Sequence, residues 1–245
     1  MHAIISDIHG NLEALEAVTA AIGDIDTICL GDVVLYGPDS AECVRRSAEW
    51  KAVVAGPVDL AMVRHVPEQW GPHINQLIKK MRERLIACSD SSELMALMAS
   101  YLPSFELDGQ RFFHGTSDDV RGYIFPEAIY CPQSIEPIAQ TKDYVHIAGG
   151  SHIPGIFHRD GDHDWRFIAP EVGVTYELPQ DQKTVLTIGS VGQPRDGDWR
   201  AAYAIIDRSS VVFHRVEYDI DLTRTKIIGD PDIDDTHGGR LPEGR

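Results

Sequence analysis

Short apolar runs alternate with amphipathic stretches over the first part of the chain. The apolar runs have the length and composition of buried strands, and the stretches between them repeat their apolar residues at helical spacing. In chain order these elements are the strand Ala3–Ser6, the helix Leu12–Val18, the strand Thr27–Leu30, the helix around Ala41–Trp50 and the strand Ala52–Ala55. This order predicts parallel pairing of the strands, with the functional loops at their carboxyl ends.

The middle of the chain is predicted to be helical. Apolar residues at helical spacing indicate helices over Gln76–Cys88 and Glu93–Ser100. A hairpin follows, in which Asp108-Gly109 supplies the turn between the strands Phe105–Leu107 and Arg111–His114. This is the point at which the pattern changes from helices to strands.

Strands dominate the second half. They are predicted at Val145–Ala148, Gly155–Arg159, Trp165–Ala169, Val185–Ile188, Ala202–Ile206 and Val211–Arg215, with a turn at Asp160-Gly161-Asp162. No repeat or low-complexity linker interrupts the pattern, so we predict one layered domain of helices and strands over residues 1–227. Residues 228–245 are rich in Asp, Gly and Pro, and we expect an acidic tail that wraps the surface or is partly disordered.

Composition and charge narrow the possible partners. Of the 245 residues, 43% are hydrophobic and 24% are charged, which is ordinary for a globular protein and excludes a disordered chain. The 22 Lys and Arg against 38 Asp and Glu give a net charge of −16, which repels nucleic-acid backbones and anionic membranes. A small phosphate ester remains possible if a metal supplies positive charge. Without CxxC spacing, a leader or a long apolar run, we expect a cytoplasmic protein.

Residues that commonly bind metal ions follow four of the predicted strands. Asp7 and His9 stand two residues apart after the first strand, and Asp32 follows the second. His114 and His152 each follow a later strand. Burying several unpaired carboxylates and imidazoles together costs several kcal/mol unless a cation neutralises them. The sequence therefore predicts a metal site.

Five segments of the chain match the motifs of one family. They are Ser6–Asn11, Leu30–Asp32 with Tyr36–Pro38, His114-Gly115, His152–Gly155 and Gly189–Asp196. In combination they resemble the calcineurin-like metallophosphoesterases, in particular the small bacterial branch near the phosphodiesterases and diadenosine tetraphosphatases. The resemblance covers nearly the whole chain. It implies an α/β fold of the α+β type, a four-layer αββα sandwich of two mixed sheets flanked by helices, with two metals at one edge.

The resemblance implies one complete and one incomplete metal position. The first position is held in the family by residues that match Asp7, His9, Asp32 and His152. At the second position only the bridging Asp32 and His114 are retained. We therefore expect a divalent metal, Mn, Zn or Fe, with one tight site and an impaired second site.

Three departures from the family pattern fall beside the second metal. Pro57 replaces an asparagine ligand, Val58 replaces the histidine that protonates the leaving group, and Gly150 replaces a histidine ligand. Proline and valine cannot coordinate a metal, and a missing general acid costs about 10²–10⁴-fold in rate. Residues that could substitute as ligands, a less favoured alternative, are Asp59, His158 and His163.

The leading hypothesis is a metal-dependent phosphoesterase in which a hydroxide on the retained metal attacks phosphorus of a small phosphorylated substrate. Asp32 and Asp59 are its expected catalytic residues, and Arg195 and Tyr36 its expected substrate-binding residues. Arg195 offers a bidentate fork to a phosphate, although it could instead pair with neighbouring aspartates. The rival hypothesis is a protein of the same fold that binds a phosphorylated ligand or a protein partner without turnover.

Overall fold

The computed structural model describes residues 1–64, 70–159 and 164–245. The predicted turn at residues 160–162 lies outside this part of the chain, and so does His163. Every statement below concerns the described residues.

Two mixed sheets of six strands each form the centre of the molecule. The strands are β1 (His2–Ile5), β2 (Thr27–Cys29), β3 (Ala52–Val53), β4 (Phe105–Leu107), β5 (Gln110–Phe113), β6 (Val145–Ala148), β7 (Pro154–Arg159), β8 (Trp165–Ile168), β9 (Thr175–Glu177), β10 (Lys183–Ile188), β11 (Ala201–Ile206) and β12 (Ser210–Val216). The first sheet has the order β3-β2-β1-β11-β12-β9, and the second has the order β4-β5-β6-β10-β7-β8. The parallel pairing predicted for the first three strands is confirmed.

Helices cover the outer faces of both sheets. They are α1 (Leu12–Ile22), α2 (Ser40–Arg46), α3 (Pro57–Val63), α4 (Pro72–Ala87), α5 (Ser91–Ala99), α6 (Glu136–Ala139), α7 (Ile220–Ile228) and α8 (Asp235–Arg240). None of those in the described residues has both the length and the apolar composition that a membrane span requires.

The side chains of the strands divide the core into three layers. Along β1, Ile4 faces the apolar layer between the two sheets, whereas Ala3 and Ile5 face the layer under α1 and its neighbouring helices. A third layer, which includes Phe157 and Ile138, lies between the second sheet and α6. The predicted four-layer αββα sandwich is therefore confirmed.

The structure contains several elements that the sequence pattern did not predict. Helix α3, which was not predicted, begins at Pro57, because proline is well suited to the first turn of a helix. The sequence pattern also did not predict strand β9 at Thr175–Glu177 or helices α7 and α8. The predicted hairpin at Asp108-Gly109 is present, with positive φ at both turn residues.

The end of the chain is folded onto the domain. Ile233 and Leu241 are buried in the core beneath the helices of the first sheet. Arg84 of α4 also forms ion pairs with Asp230 and Asp232, which anchor the segment between α7 and α8. Apolar residues spaced irregularly among aspartates give no helical period, which is why the pattern was not recognised.

We expect Leu241→Ala to lower the free energy of unfolding by about 2 to 4 kcal/mol, because it leaves a cavity under the terminal segment. Leu241 is 3% exposed. The matched control is Leu222→Ala on α7, where leucine is 44% exposed and the change is expected to stay within about 0.5 kcal/mol. Urea denaturation measures both. Equal effects of the two substitutions would show that the terminal segment is not packed as described.

Candidate metal centre

Five buried side chains meet at the edge where strands of both sheets end. Asp7 and His9 follow β1, and Asp32 follows β2 of the first sheet; His114 follows β5, and His152 lies in the loop after β6 of the second sheet. Each is at most 6% exposed. We call these five residues the metal centre.

The backbone at the metal centre has an unusual conformation. Asp7, His9, Asp32 and His152 all have positive φ, between +50° and +60°. A side chain with a Cβ rarely adopts this left-handed conformation, and it persists only where the surrounding structure enforces it. The strand ends are thus bent so that their side chains point towards one another, which no sequence pattern reveals.

Donor atoms of the centre lie at the spacing that a metal ion requires. His152 Nε2 is 3.4 Å from His9 Nε2 and 3.4 Å from Asp7 Oδ1. The Oδ2 atom of Asp32 is 3.9 Å from His9 Nε2. Four ligands around a tetrahedral ion with bonds of ~2.1 Å stand ~3.4 Å apart. Asp7, His9 and His152 therefore fit a single divalent cation, and Asp32 lies beside them.

The oxygen Asp7 Oδ1 supports this interpretation independently. It is buried and has no hydrogen-bond partner among the described residues, whereas Oδ2 of the same carboxylate accepts a hydrogen bond from the Gly150 amide. A buried carboxylate oxygen without a partner is costly. A cation at this position removes that cost.

Backbone carbonyls orient all three histidines. The Nδ1 atoms of His9, His114 and His152 lie 3.1, 2.5 and 2.7 Å from the carbonyl oxygens of Val34, Leu30 and Gln193, respectively. Because a carbonyl only accepts, each Nδ1 carries the proton. The lone pair of Nε2 therefore faces the centre, as in metal-binding histidines generally.

A second group of donors consists of Asp7, Asp32 and His114. The family pattern predicted only Asp32 and His114 at the second position, and the structure adds Asp7 as a third donor. His114 Nε2 lies 3.5 Å from Asp32 Oδ2. Burial on its own lowers the pKa of His114, but the charges of Asp32 and Asp7 outweigh it and raise that pKa to about 10. Without a metal, a protonated His114 thus compensates the two carboxylates.

The other ligands, His9, His152 and Asp7, are in or near the protonation state that binds cations. Burial lowers the pKa of His9 to about 4 and lowers the pKa of His152 strongly, so both imidazoles are neutral. Burial raises the pKa of Asp7 to about 6, although the charge of His114 opposes the shift. Ionisation without an ion present is therefore disfavoured at Asp7, and a cation reverses that. At Asp32 burial also raises the pKa, but the charge and hydrogen bond of His114 outweigh it and lower that pKa.

The three departures from the family pattern form one side of the centre. Pro57 and Val58 occupy the first turn of α3, and the Val58 amide donates to Asp32 Oδ1 at 3.2 Å. Gly56 leaves room for this contact, since an added Cβ would lie 2.0 Å from that oxygen. Gly150 has a φ of +74°. An apolar surface thus stands where the second metal's ligands and the acid are expected.

Asp59 is placed differently from the catalytic position predicted for it. Its carboxylate accepts hydrogen bonds from the amides of Asp32, Val33 and Gly56 at 2.8, 2.9 and 3.0 Å. The side chain is 1% exposed, and its oxygens are directed at the backbone. Asp59 therefore holds the loop that carries Asp32 and does not face the metal centre.

The loop at residues 189–195 secures the centre from the other side. Ser190 Oγ donates to the carbonyl of Asp7 at 2.7 Å, and the Gly192 amide donates to the same oxygen at 3.0 Å. Gln193 provides the carbonyl that orients His152. The sequence did not predict a role for Ser190, Gly192 and Gln193. The only indication of a role was that they belong to the Gly189–Asp196 motif.

Both predicted substrate-binding residues lie beside the first group of ligands. The ring of Tyr36 stacks edge-on against His9, with centroids 4.8 Å apart. The Nη2 atom of Arg195 donates to Gln193 Oε1 at 2.7 Å. In contrast, His158 lies in β7 and contacts Thr184 Oγ1 at 3.0 Å, which removes it as a substitute ligand.

Comparisons with known proteins agree with this geometry. No known family model matches the sequence. The chain is 30% identical over 236 residues to an uncharacterized protein of Methanocaldococcus jannaschii, and the match covers 93% of this chain and 92% of that protein. The crystal structure of a metallophosphoesterase from Sphaerobacter thermophilus has 28% identity and a TM-score of 0.83, with 99% of both chains covered.

A hypothetical protein from Pyrococcus horikoshii shares the fold, with 17% identity, a TM-score of 0.74, and 100% of this chain and 98% of that chain covered. The likeness to the Sphaerobacter protein extends over nearly the whole chain. The chain belongs to the calcineurin-like metallophosphoesterase family.

Proposed function

We propose that the protein is a metal-dependent phosphoesterase that acts on a small phosphate ester with a good leaving group. The observation that carries this proposal is the convergence of the neutral Nε2 atoms of His9 and His152 on the unpartnered oxygen of Asp7. A divalent cation held there supplies Lewis-acid activation of water and of a phosphoryl oxygen. Mn, Zn and Fe all accept this mixed set of imidazole and carboxylate ligands.

The protein's own residues fix the geometry around the cation. Asp32 contributes Oδ2 to the centre, while its Oδ1 atom is held by the amide of Val58. Asp59 positions the Asp32 loop through the backbone, so we assign it a positioning role. Preorganised ligands of this kind keep a bound phosphoryl group in one orientation.

The space beside the centre is adequate for a small ester. A cavity of about 410 Å³ adjoins His114 and is lined by apolar side chains such as Leu60 and Phe113, together with Arg64 and Arg111. Cavities of roughly 300–1,000 Å³ commonly hold small molecules. The cavity begins on the side of the impaired second position, where a leaving group would need protonation.

A binding protein without turnover is the second candidate, and the surface formed by Pro57 and Val58 favours it. Val58 is 3% exposed and packs into the core, so neither side chain can donate a proton or bind a metal. A pocket of this kind can retain a phosphorylated ligand without hydrolysing it. The two candidates differ in whether any ester is turned over.

The metal content of the purified protein tests the ligand assignment. We expect about one tightly bound transition-metal ion per chain, and none after Asp7→Asn, because the substitution keeps the shape of the side chain but removes its charge. Elemental analysis after dialysis, combined with a calorimetric titration, measures both.

The control for this experiment is His73→Ala, since His73 is exposed on α4 and contributes nothing to the centre. Its metal content should equal that of the wild type. Two tight ions per chain in the wild type would contradict the assignment and would mean that the second position is complete.

Activity should depend strongly on the leaving group. With added Mn²⁺, we expect a nitrophenyl phosphodiester to be hydrolysed and an alkyl phosphodiester to react at least ~10²-fold more slowly, because only the alkoxide needs an acid to leave. Release of the two alcohols is measured side by side, with Asp7→Asn as the control for contaminating enzymes. Similar rates would reveal another proton donor, and no hydrolysis of either ester would favour the binding protein.

Restoring the missing groups should increase the rate. In the triple variant Pro57→Asn, Val58→His and Gly150→His, we expect a second bound metal and at least ~10²-fold faster hydrolysis of the alkyl ester. The positive φ of Gly150 makes its replacement cost about 1 kcal/mol, and the new Cβ would lie 3.3 Å from His114 Nε2.

The matched control carries glutamine in place of histidine at position 58, which keeps the hydrogen-bonding capacity but cannot protonate a leaving group. It should bind the second metal without the gain in rate. A folded triple variant that binds two metals and is no faster would contradict the interpretation of this site as a disabled esterase centre.

A further inference from the structure

Two arginines near the metal centre have no carboxylate partner among the described residues. Arg195 lies in the loop that secures His152, and Arg240 is the last residue of α8. Neither guanidinium has a carboxylate oxygen within 4.0 Å in the described part of the chain, and the Nε atom of each is buried without a hydrogen-bond partner. In a protein with a net charge of −16, arginines without a carboxylate partner are unexpected.

The acidic neighbours of Arg195 are already paired with other residues. Asp196 forms an ion pair with Arg215, and Asp198 forms one with Arg200 at 2.6 Å. Pairing of Arg195 with these aspartates was the alternative that its sequence context suggested. The structure leaves the guanidinium of Arg195 with only the neutral oxygen of Gln193 at 2.7 Å.

Arg240 reaches the same region from the end of the chain. Its Cζ atom lies 5.7 Å from the centroid of the Tyr36 ring, which in turn contacts His9. Its Nη2 atom donates to His237 Nδ1 at 2.9 Å, so His237 is a neutral acceptor there. The ring of His237 also lies against Tyr36, with centroids 4.7 Å apart. Tyr36 therefore connects α8 to the metal centre.

The two positive charges affect each other and the groups between them. Burial lowers the pKa of Arg240, and the charge of Arg195 lowers it further. Burial lowers the pKa of His237 to about 4, with Arg240 as a second cause. Two unpaired cations of this kind repel each other in a medium of low polarity, and an anion between them removes the repulsion.

We propose that Arg195 and Arg240 form an anion site for the phosphoryl group of the ligand, next to His9 and His152, and that α8 is part of the substrate site. Identifying the anion as a phosphoryl group rests on the proposed function. Guanidinium forks match phosphate oxygens, and here they supply positive charge beside His152 and Tyr36. The charge that the second metal would provide is thereby partly replaced by two side chains.

Binding of inorganic phosphate tests the proposal without requiring turnover. Calorimetric titrations at constant ionic strength compare the wild type with Arg195→Gln and Arg240→Gln, each in metal-free and Mn²⁺-loaded form. We expect each substitution to weaken phosphate binding about tenfold or more, because a charge-assisted contact is lost. Metal content should stay the same. Arg240→Lys should lose less, since it keeps the charge without the fork.

The matched control is Arg245→Gln, which removes the same charge from an exposed arginine that pairs with Glu243. Its phosphate affinity should equal that of the wild type. Wild-type protein that binds no phosphate, or Arg195→Gln and Arg240→Gln variants that bind it normally, would overturn the proposal. A loss of metal with unchanged phosphate affinity would also overturn it, because the arginines would then only balance Asp7 and Asp32. Phosphate binding through both arginines without esterase activity would support the anion site and contradict the proposed function.

Discussion

The structure depends on the burial of two carboxylates, Asp7 and Asp32, at the junction of its two sheets. Both are nearly inaccessible to solvent, so their charge must be compensated within the protein or by an ion. The strand ends bend into left-handed conformations to bring imidazoles around them, and backbone carbonyls orient each ring. Most of the polar contacts near this edge serve that arrangement, including the amide hydrogen bonds to Asp59.

The same constraint explains how the fold accommodates proline and valine at positions 57 and 58. The oxygen of Asp32 that faces α3 is satisfied by the amide of Val58, a contact that depends on the backbone and not on the side chain at that position. His114 carries a proton between the carboxylates when no cation is present. Asp7, His9 and His152 therefore keep their mutual geometry with proline and valine at positions 57 and 58.

Sequence reasoning anticipated the strands and the grouping of the candidate ligands for a definable reason, whereas the four-layer architecture was implied only by the family resemblance. The strands read as apolar runs, and Asp7, His9, Asp32, His114 and His152 all follow such runs, so their convergence was predictable. The hydrogen bonds between Asp59 and backbone amides and the packing of α8 onto the domain were not predictable, because each depends on contacts between distant segments. Arg240 illustrates the difference: it stands in a stretch without hydrophobic period, and only the packing of Leu241 and Ile233 brings it to Tyr36.

The pairing of β1 with β11 has a consequence for how the protein is made. His2 pairs with Ile206, so the chain must close a very long loop before β1 gains β11 as its second neighbour beside β2. Closing such loops is slow because the entropy is lost before the contacts form. The loop that fastens Asp7 immediately precedes β11. Asp7, His9 and His152 therefore come together only after distant segments of the chain have met.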